Sequence, residues 1–167
     1  AEDAAGNFES ALQLLSRGET KKAKELTKKI NNTYSELPYA QLAGLLEAQI
    51  YASEGNYEEA EKILKNILAR KSILGLDEVA AARLVRIYLA QKNIEKAKII
   101  LEEPRRNTWT KDAFLELRGD LAVAERKDTE AKEFYEKALI QADRLGYPTS
   151  NLILKKNNIS VRRAIFE

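Results

Sequence analysis

Apolar side chains along the chain fall in runs with helical spacing, and short polar turns interrupt the runs at nearly regular intervals. Four of these turns share a core: "RGETKKAKEL" from Arg17, "EGNYEEAEKI" from Glu54, "QKNIEKAKII" from Gln91 and "RKDTEAKEFY" from Arg126. Aligned on their alanine (Ala23, Ala60, Ala97 and Ala131), they are spaced by 37, 37 and 34 residues. Upstream of each lies an apolar-periodic segment, with Leu14, Tyr51, Tyr88 and Ala122 at one equivalent position. Downstream lies a second, ending in "KNIL", "IILEE" or "YEKAL". The pattern predicts helix, short polar turn, helix, repeated. A lone helical hairpin cannot bury its own apolar stripe, so the hairpins are expected to stack and share a core.

Boundary residues agree with this division. Gly18 and Gly55 suit helix C-caps, where a positive φ is needed. Asp77 and Asp128 suit N-caps, and Pro38 suits the first turn of a helix, where a missing N–H costs nothing. The pattern resembles the tetratricopeptide repeat, with a small residue at repeat position 8, an aromatic at 11, Ala at 20, a bulky residue at 24 and a small one at 27. The last unit supplies Gly119, Ala131, Tyr135 and Ala138 at four of these places. The second supplies Ala48, Tyr51, Ala60 and Leu64. The third supplies Tyr88, Ala97 and Leu101 but has Pro104 where Ala is expected, and the first keeps little beyond Ala11 and Ala23. The resemblance implies an all-α fold, a right-handed solenoid of about four helical hairpins in one domain. Its units lie near residues 5–33, 36–70, 77–104 and 109–145, with a capping helix near 148–159. The tail "VRRAIFE" is left unassigned.

Composition supports helix over strand: the charged residues are mostly Glu and Lys, the apolar ones are rich in Ala, Leu and Ile, and only 3 of 167 residues are Pro. A net charge of +2 gives no electrostatic case for nucleic acid or an anionic membrane. With neither Cys nor His, the usual zinc sites and the Cys-His and Ser-His-Asp nucleophilic systems cannot be built within this chain. No run approaches 18 consecutive apolar residues. The chain opens on Ala1, which suggests a processed form or an excised fragment, with room for a signal or anchor upstream.

Candidate chemistry is sparse. The acid pairs Glu58–Glu59, Glu102–Glu103 and Glu2–Asp3 are neighbours in sequence on charged helix faces or at the terminus, not carboxylates opposed across a cleft. The cluster Lys21, Lys22, Lys24, Lys28 and Lys29 is interrupted by Glu25 and reads as a solvated helix face. Trp109 is expected to pack between units. No catalytic residue, metal ligand or cofactor site is expected, and the chain reads as a non-enzyme.

By resemblance to the repeat family, first helices line a concave face through positions 2, 5, 9 and 12. Here these are Leu42, Leu45, Gln49 and Ala52, then Val79, Ala82, Arg86 and Leu89, then Ala113, Glu116, Asp120 and Val123. Such a groove would be apolar at one end, with Arg86 midway and two acids at the other, and could take a peptide or amphipathic helix. The competing expectation is that the N-terminal unit or the capping helix covers part of it. The Lys and Asn that clamp chaperone tails at positions 5 and 9 of some repeat proteins are absent: those places hold Leu45 and Gln49, then Ala82 and Arg86.

The runs "NNTYSELPYAQLAGLLEAQIY", "AARLVRIYLAQKNIEKA", "LELRGDLAVAERKDTEAKEFY" and "LKKNNIS" resemble, in order from Asn31 to Ser160, the YfgM family. The resemblance implies a bacterial inner-membrane protein with one N-terminal transmembrane helix, here upstream of the chain, and a periplasmic repeat domain. It further implies an ancillary role at the Sec translocon, beside a membrane-anchored periplasmic chaperone of the peptidyl-prolyl isomerase type, with client segments as further partners. A repeat scaffold for envelope or pilus assembly is the alternative. Finally, Arg118-Gly119-Asp120 spells a cell-adhesion tripeptide, but it falls mid-helix. Gly119 is read as a packing glycine, Asp120 as a groove residue, and Arg118 as a side chain that reaches a carboxylate.

Overall fold

The computed structural model describes residues 2–36, 38–70, 75–102 and 114–166. Among these it is all-α: α1 (Glu2–Ser16), α2 (Thr20–Thr33), α3 (Pro38–Ser53), α4 (Tyr57–Ala69), α5 (Leu76–Ala90), α6 (Ile94–Glu102), α7 (Leu115–Ala124), α8 (Asp128–Leu145) and α9 (Ser150–Phe166). Glu103, Pro104, Arg105, Arg106, Trp109 and Ala113 lie outside the described residues. The unassigned tail is the end of α9, which continues to Phe166.

The chain forms two compact units, Ala1–Ile87 and Tyr88–Glu167. In the first, α1 packs on α2 and α3, α2 on α3, and α3 on α4. In the second, α6 packs on α7, α7 on α8, and α8 on α9. The register of the repeat is the register of burial. Ala23, Ala60, Ala97 and Ala131 are all fully buried, as are Ala11, Ala48 and Val85 at repeat position 8. The bulky position is buried each time, by Thr27, Leu64, Leu101 and Tyr135. Small residues allow the two helices of a hairpin to approach, and the bulky one on the second helix fills the space beside them.

The hairpin turns close in one way. Gly18, Gly55, Lys92 and Arg126, each five residues before the buried alanine, all take a left-handed backbone, with φ of 77°, 76°, 58° and 61°. In each turn the next residue's N–H donates back five residues: Glu19 to Leu14, Asn56 to Tyr51, Asn93 to Tyr88 and Lys127 to Ala122, at 2.8–2.9 Å. The left-handed residue itself donates three back, to Leu15, Ala52, Leu89 and Val123. This is the Schellman closure, which satisfies the helix's last carbonyls. Two of the four turns thus force a side-chain-bearing residue into a conformation that costs roughly 1 kcal/mol without glycine. Lys92→Gly and Arg126→Gly are therefore each expected to stabilise the protein by about 0.5–1 kcal/mol, read as a rise in the midpoint of thermal or urea unfolding.

The expected N-caps are displaced. Asp128 is the first residue of α8 and Asp77 the second of α5, so both acids sit inside the first turn, where they complement the helix dipole. Side-chain caps stand instead on two other helices, α4 and α6, where the Asn56 and Asn93 side-chain oxygens accept from the N–H groups of Glu59 and Lys96. Pro38 opens α3 as predicted.

Candidate functional site

The residues expected to line a groove have unequal fates. In the first unit, α3 places Leu42 half-buried and Gln49 exposed, but Leu45 is only 5 % exposed. Leu45 is thus a core residue. Along α5, Val79, Ala82, Arg86 and Leu89 share one face by their i, i+3, i+7, i+10 spacing. Val79 is 41 % exposed, Arg86 is exposed, and Ala82 and Leu89 are half-buried. The neighbouring Arg83 reaches from α5 to donate a guanidinium N–H to the Leu45 carbonyl, tying the two first helices together. Burial, and after it the charge of Arg86, push the Arg83 guanidinium below its ordinary pKa.

Deeper in this unit, α3 buries a carboxylate. Glu47 is 6 % exposed and accepts a hydrogen bond from Asn31 Nδ2 at 2.8 Å. Burial raises its pKa, against the Asn31 bond and the charge of Lys28, which lower it. A carboxyl whose pKa is raised on folding stabilises the fold only while protonated, and that contribution is lost as pH rises from its ordinary 4.5 through the raised folded value. Glu47→Gln keeps the acceptor for Asn31. It is expected to raise the thermal midpoint at pH 7 and to lose that advantage below about pH 4, in melts run at both.

The lysine cluster of α2 is partly spoken for. Lys24 pairs with Glu54 at 2.6 Å and lies 4.7 Å from the centre of the Tyr51 ring, so it serves the contact between α2 and α3.

In the second unit the two acids of α7 are engaged from within the chain. Lys155 of α9 places its Nζ 2.7 Å from Glu116 Oε1 and 2.8 and 2.7 Å from the two oxygens of Asp120. The Tyr135 hydroxyl of α8 donates to Asp120 Oδ1 at 2.7 Å. Burial opposes the charge on Lys155, but the hydrogen bonds to Asp120 and Glu116 outweigh it and hold its pKa above the ordinary value. Burial, reinforced by Asp120, raises the Tyr135 pKa far out of the physiological range. Glu116 and Asp120 therefore form an internal clasp on the last helix, and are not open contacts. Leu152 and Ile159 of α9 are buried in the same cluster as Tyr135 and Ala138.

The tripeptide lies inside α7, away from any loop. A Cβ on Gly119 would stand 2.4 Å from Tyr135 Cε1, so the glycine is a packing glycine. Arg118, expected to reach a carboxylate, donates instead to the Leu101 carbonyl at 2.9 Å, at the C-terminal end of α6. A cation there also meets the negative end of that helix's dipole.

Two cavities of about 130 and about 250 Å³, the first beside Gly44 and Ile67 and the second beside Leu115 and Ile140, fall below the ~300–1,000 Å³ usual for small-molecule sites. Among the described residues no cluster of acidic side chains could hold a metal ion, and no helix is long and apolar enough to cross a membrane. The sequence alone did not single out Arg83, Tyr135 as a donor, or Lys155. For Tyr135 a signal existed, since the smallest residue at position 8 coincides with an aromatic at position 24 of the same unit.

Comparison with curated proteins returns no match. The model of one protein family does match, and it covers nearly the whole chain. Together with the buried alanine register and the repeated hairpin turns, that match, over residues 1–161, shows that the chain belongs to the tetratricopeptide repeat-like domain family.

Proposed function

We propose that the chain is a periplasmic protein-interaction module at the bacterial inner membrane, an ancillary part of the Sec translocon that assists a membrane-anchored chaperone on newly translocated proteins. Repeat domains of this family are protein-interaction scaffolds, generally without enzymatic activity. The observation that carries the reading is the solvent-facing strip on α3 and α5, where Gln49, Val79 and Arg86 are exposed at the repeat positions that meet ligands. The translocon assignment rests on the collinear resemblance to the YfgM family.

A photocrosslinker in place of Val79, in the full-length protein in native membranes, is expected to capture translocon components and the anchored chaperone. Capture of envelope or pilus assembly proteins alone would replace this reading with a scaffold for that machinery. The same reading expects about 20 apolar residues upstream of Ala1, preceded by basic ones. Arg86→Glu is expected to weaken capture while leaving the thermal midpoint unchanged, because Arg86 is exposed. Leu45→Glu is unsuited to that purpose: it would bury a charge in the core and unfold the unit.

A further inference from the structure

The sequence places charges of both signs at the ligand-facing positions, Arg86 on one first helix and Glu116 with Asp120 on another. The structure treats the two signs differently. Within the second unit, Lys155 bridges both acids at 2.7–2.8 Å, offsetting one of their two charges, and the Tyr135 hydroxyl donates to Asp120 Oδ1 as well. A partner's ammonium group would have to displace a lysine already held by three short bonds. Within the first unit Lys24 is paired with Glu54, but the cation at a ligand-facing position is not. Arg86 is exposed and has no ion-pair partner among the described residues. Arg83, one turn before it on α5, spends an N–H on the Leu45 carbonyl and meets no carboxylate there either. The acid on α5 nearest to Arg86 on the same side of the helix is Glu78, two turns away, or roughly 12 Å along the axis. Apolar surface adjoins the pair on the same helix, where Val79 is 41 % exposed.

We infer that the segment received by the α3–α5 face is an acidic amphipathic peptide, whose carboxylate is held by Arg86 with Arg83 beside it while its apolar side chains lie on Val79 and Leu42. The inference rests on the interaction reading above and adds the sign of the partner's charge. Guanidinium groups suit this task, since each offers a planar fork of N–H donors to a carboxylate. The depressed pKa of Arg83, which reports burial and then the nearby charge of Arg86, is the electrostatic condition that an incoming anion relieves.

The test uses three fluorescein-labelled helical peptides with one leucine framework and Glu, Gln or Lys at the polar positions, titrated against the full chain by fluorescence anisotropy. The Glu peptide is expected to bind at least tenfold tighter than the Gln peptide, with the Lys peptide weakest, and its affinity to fall with added salt. Arg86→Gln is expected to remove that tenfold advantage, whereas Lys62→Gln, which deletes an exposed charge on α4, leaves it intact. Equal binding of the Glu and Gln peptides, or an equal loss in the Arg86 and Lys62 variants, overturns the inference. If crosslinking from Val79 captures partners while the three peptides bind alike, the interaction reading stands and the charge assignment falls. If Val79 captures nothing, the interaction reading itself falls.

Discussion

Gly119→Ala is expected to destabilise the second unit by about 2 kcal/mol, although alanine is the better helix former by roughly 1 kcal/mol. The added Cβ would stand 2.4 and 2.6 Å from two carbons of the Tyr135 ring, distances that no relaxed contact shows. The ring has little room to retreat. It is 2 % exposed, and its hydroxyl is fixed on Asp120 at 2.7 Å, so any rotation strains that bond as well. Gly44 supplies the internal comparison. A Cβ there meets the terminal methyl of Ile67 at 3.2 Å, a group that can shift by a rotamer adjustment. Gly44→Ala is accordingly expected to be near neutral, with propensity and crowding in balance. Urea titration of both variants decides the matter: two similar midpoints would remove Gly119 from its packing role. A further check is Gly119→Ala combined with Tyr135→Leu, which takes away the ring atoms that clash. The pair should cost clearly less than the sum of the single changes, a coupling that a purely local helix effect would not produce.

What could be read from the sequence divides along physical lines. The alanine register was legible because close approach of two helices admits only small side chains, and that demand recurs at Ala23, Ala60, Ala97 and Ala131. Two hairpin turns were legible through Gly18 and Gly55. The other two were not, because Lys92 and Arg126 take the same left-handed backbone without the residue that announces it. The hydrogen bonds of the Schellman closure override the local preference at those points. Arg118 defeated the expectation of a carboxylate because its acceptor is the Leu101 main-chain carbonyl, and a main-chain group leaves no mark in the sequence. Among the groove residues, helical spacing could assign a face of α5 but not the depth at which a neighbour covers Leu45. The pairing of Glu116 and Asp120 with Lys155 lay furthest out of reach. The partners are 39 and 35 residues apart, and "LKKNNIS" reads locally as a solvated polar turn of helix.

That last contact sets the second large effect. Lys155→Met keeps most of the side chain's length and removes its ammonium group, and is expected to cost about 1–2 kcal/mol at neutral pH. The figure is set below that of a fully buried pair because Lys155, Glu116 and Asp120 retain 28, 33 and 22 % of their side-chain exposure. Without the lysine, two carboxylates four residues apart on α7 face each other with no counter-charge from α9, and like charges at that spacing repel. What remains to hold α9 is chiefly the burial of Leu152 and Ile159, with the pair between Lys156 and Glu136 at 3.1 Å. The loss should therefore be local: hydrogen exchange is expected to quicken along α9 while the amides of α7 and α8 change less. Adding Glu116→Gln to the variant should restore part of the stability, since one repelling charge is then gone. The pH dependence has a definite sign. Because the pKa of Lys155 is raised on folding, its contribution is complete below the ordinary 10.5 and declines as pH climbs through the higher folded value. The gap between wild type and Lys155→Met should thus be constant around neutrality and narrow in strongly alkaline buffer. If α9 keeps its protection in the variant and the two proteins melt together at pH 7, the clasp is an ordinary surface pair. The acids of α7 would then be open to a partner after all, and the preference for an acidic ligand on α5 would lose half of its basis.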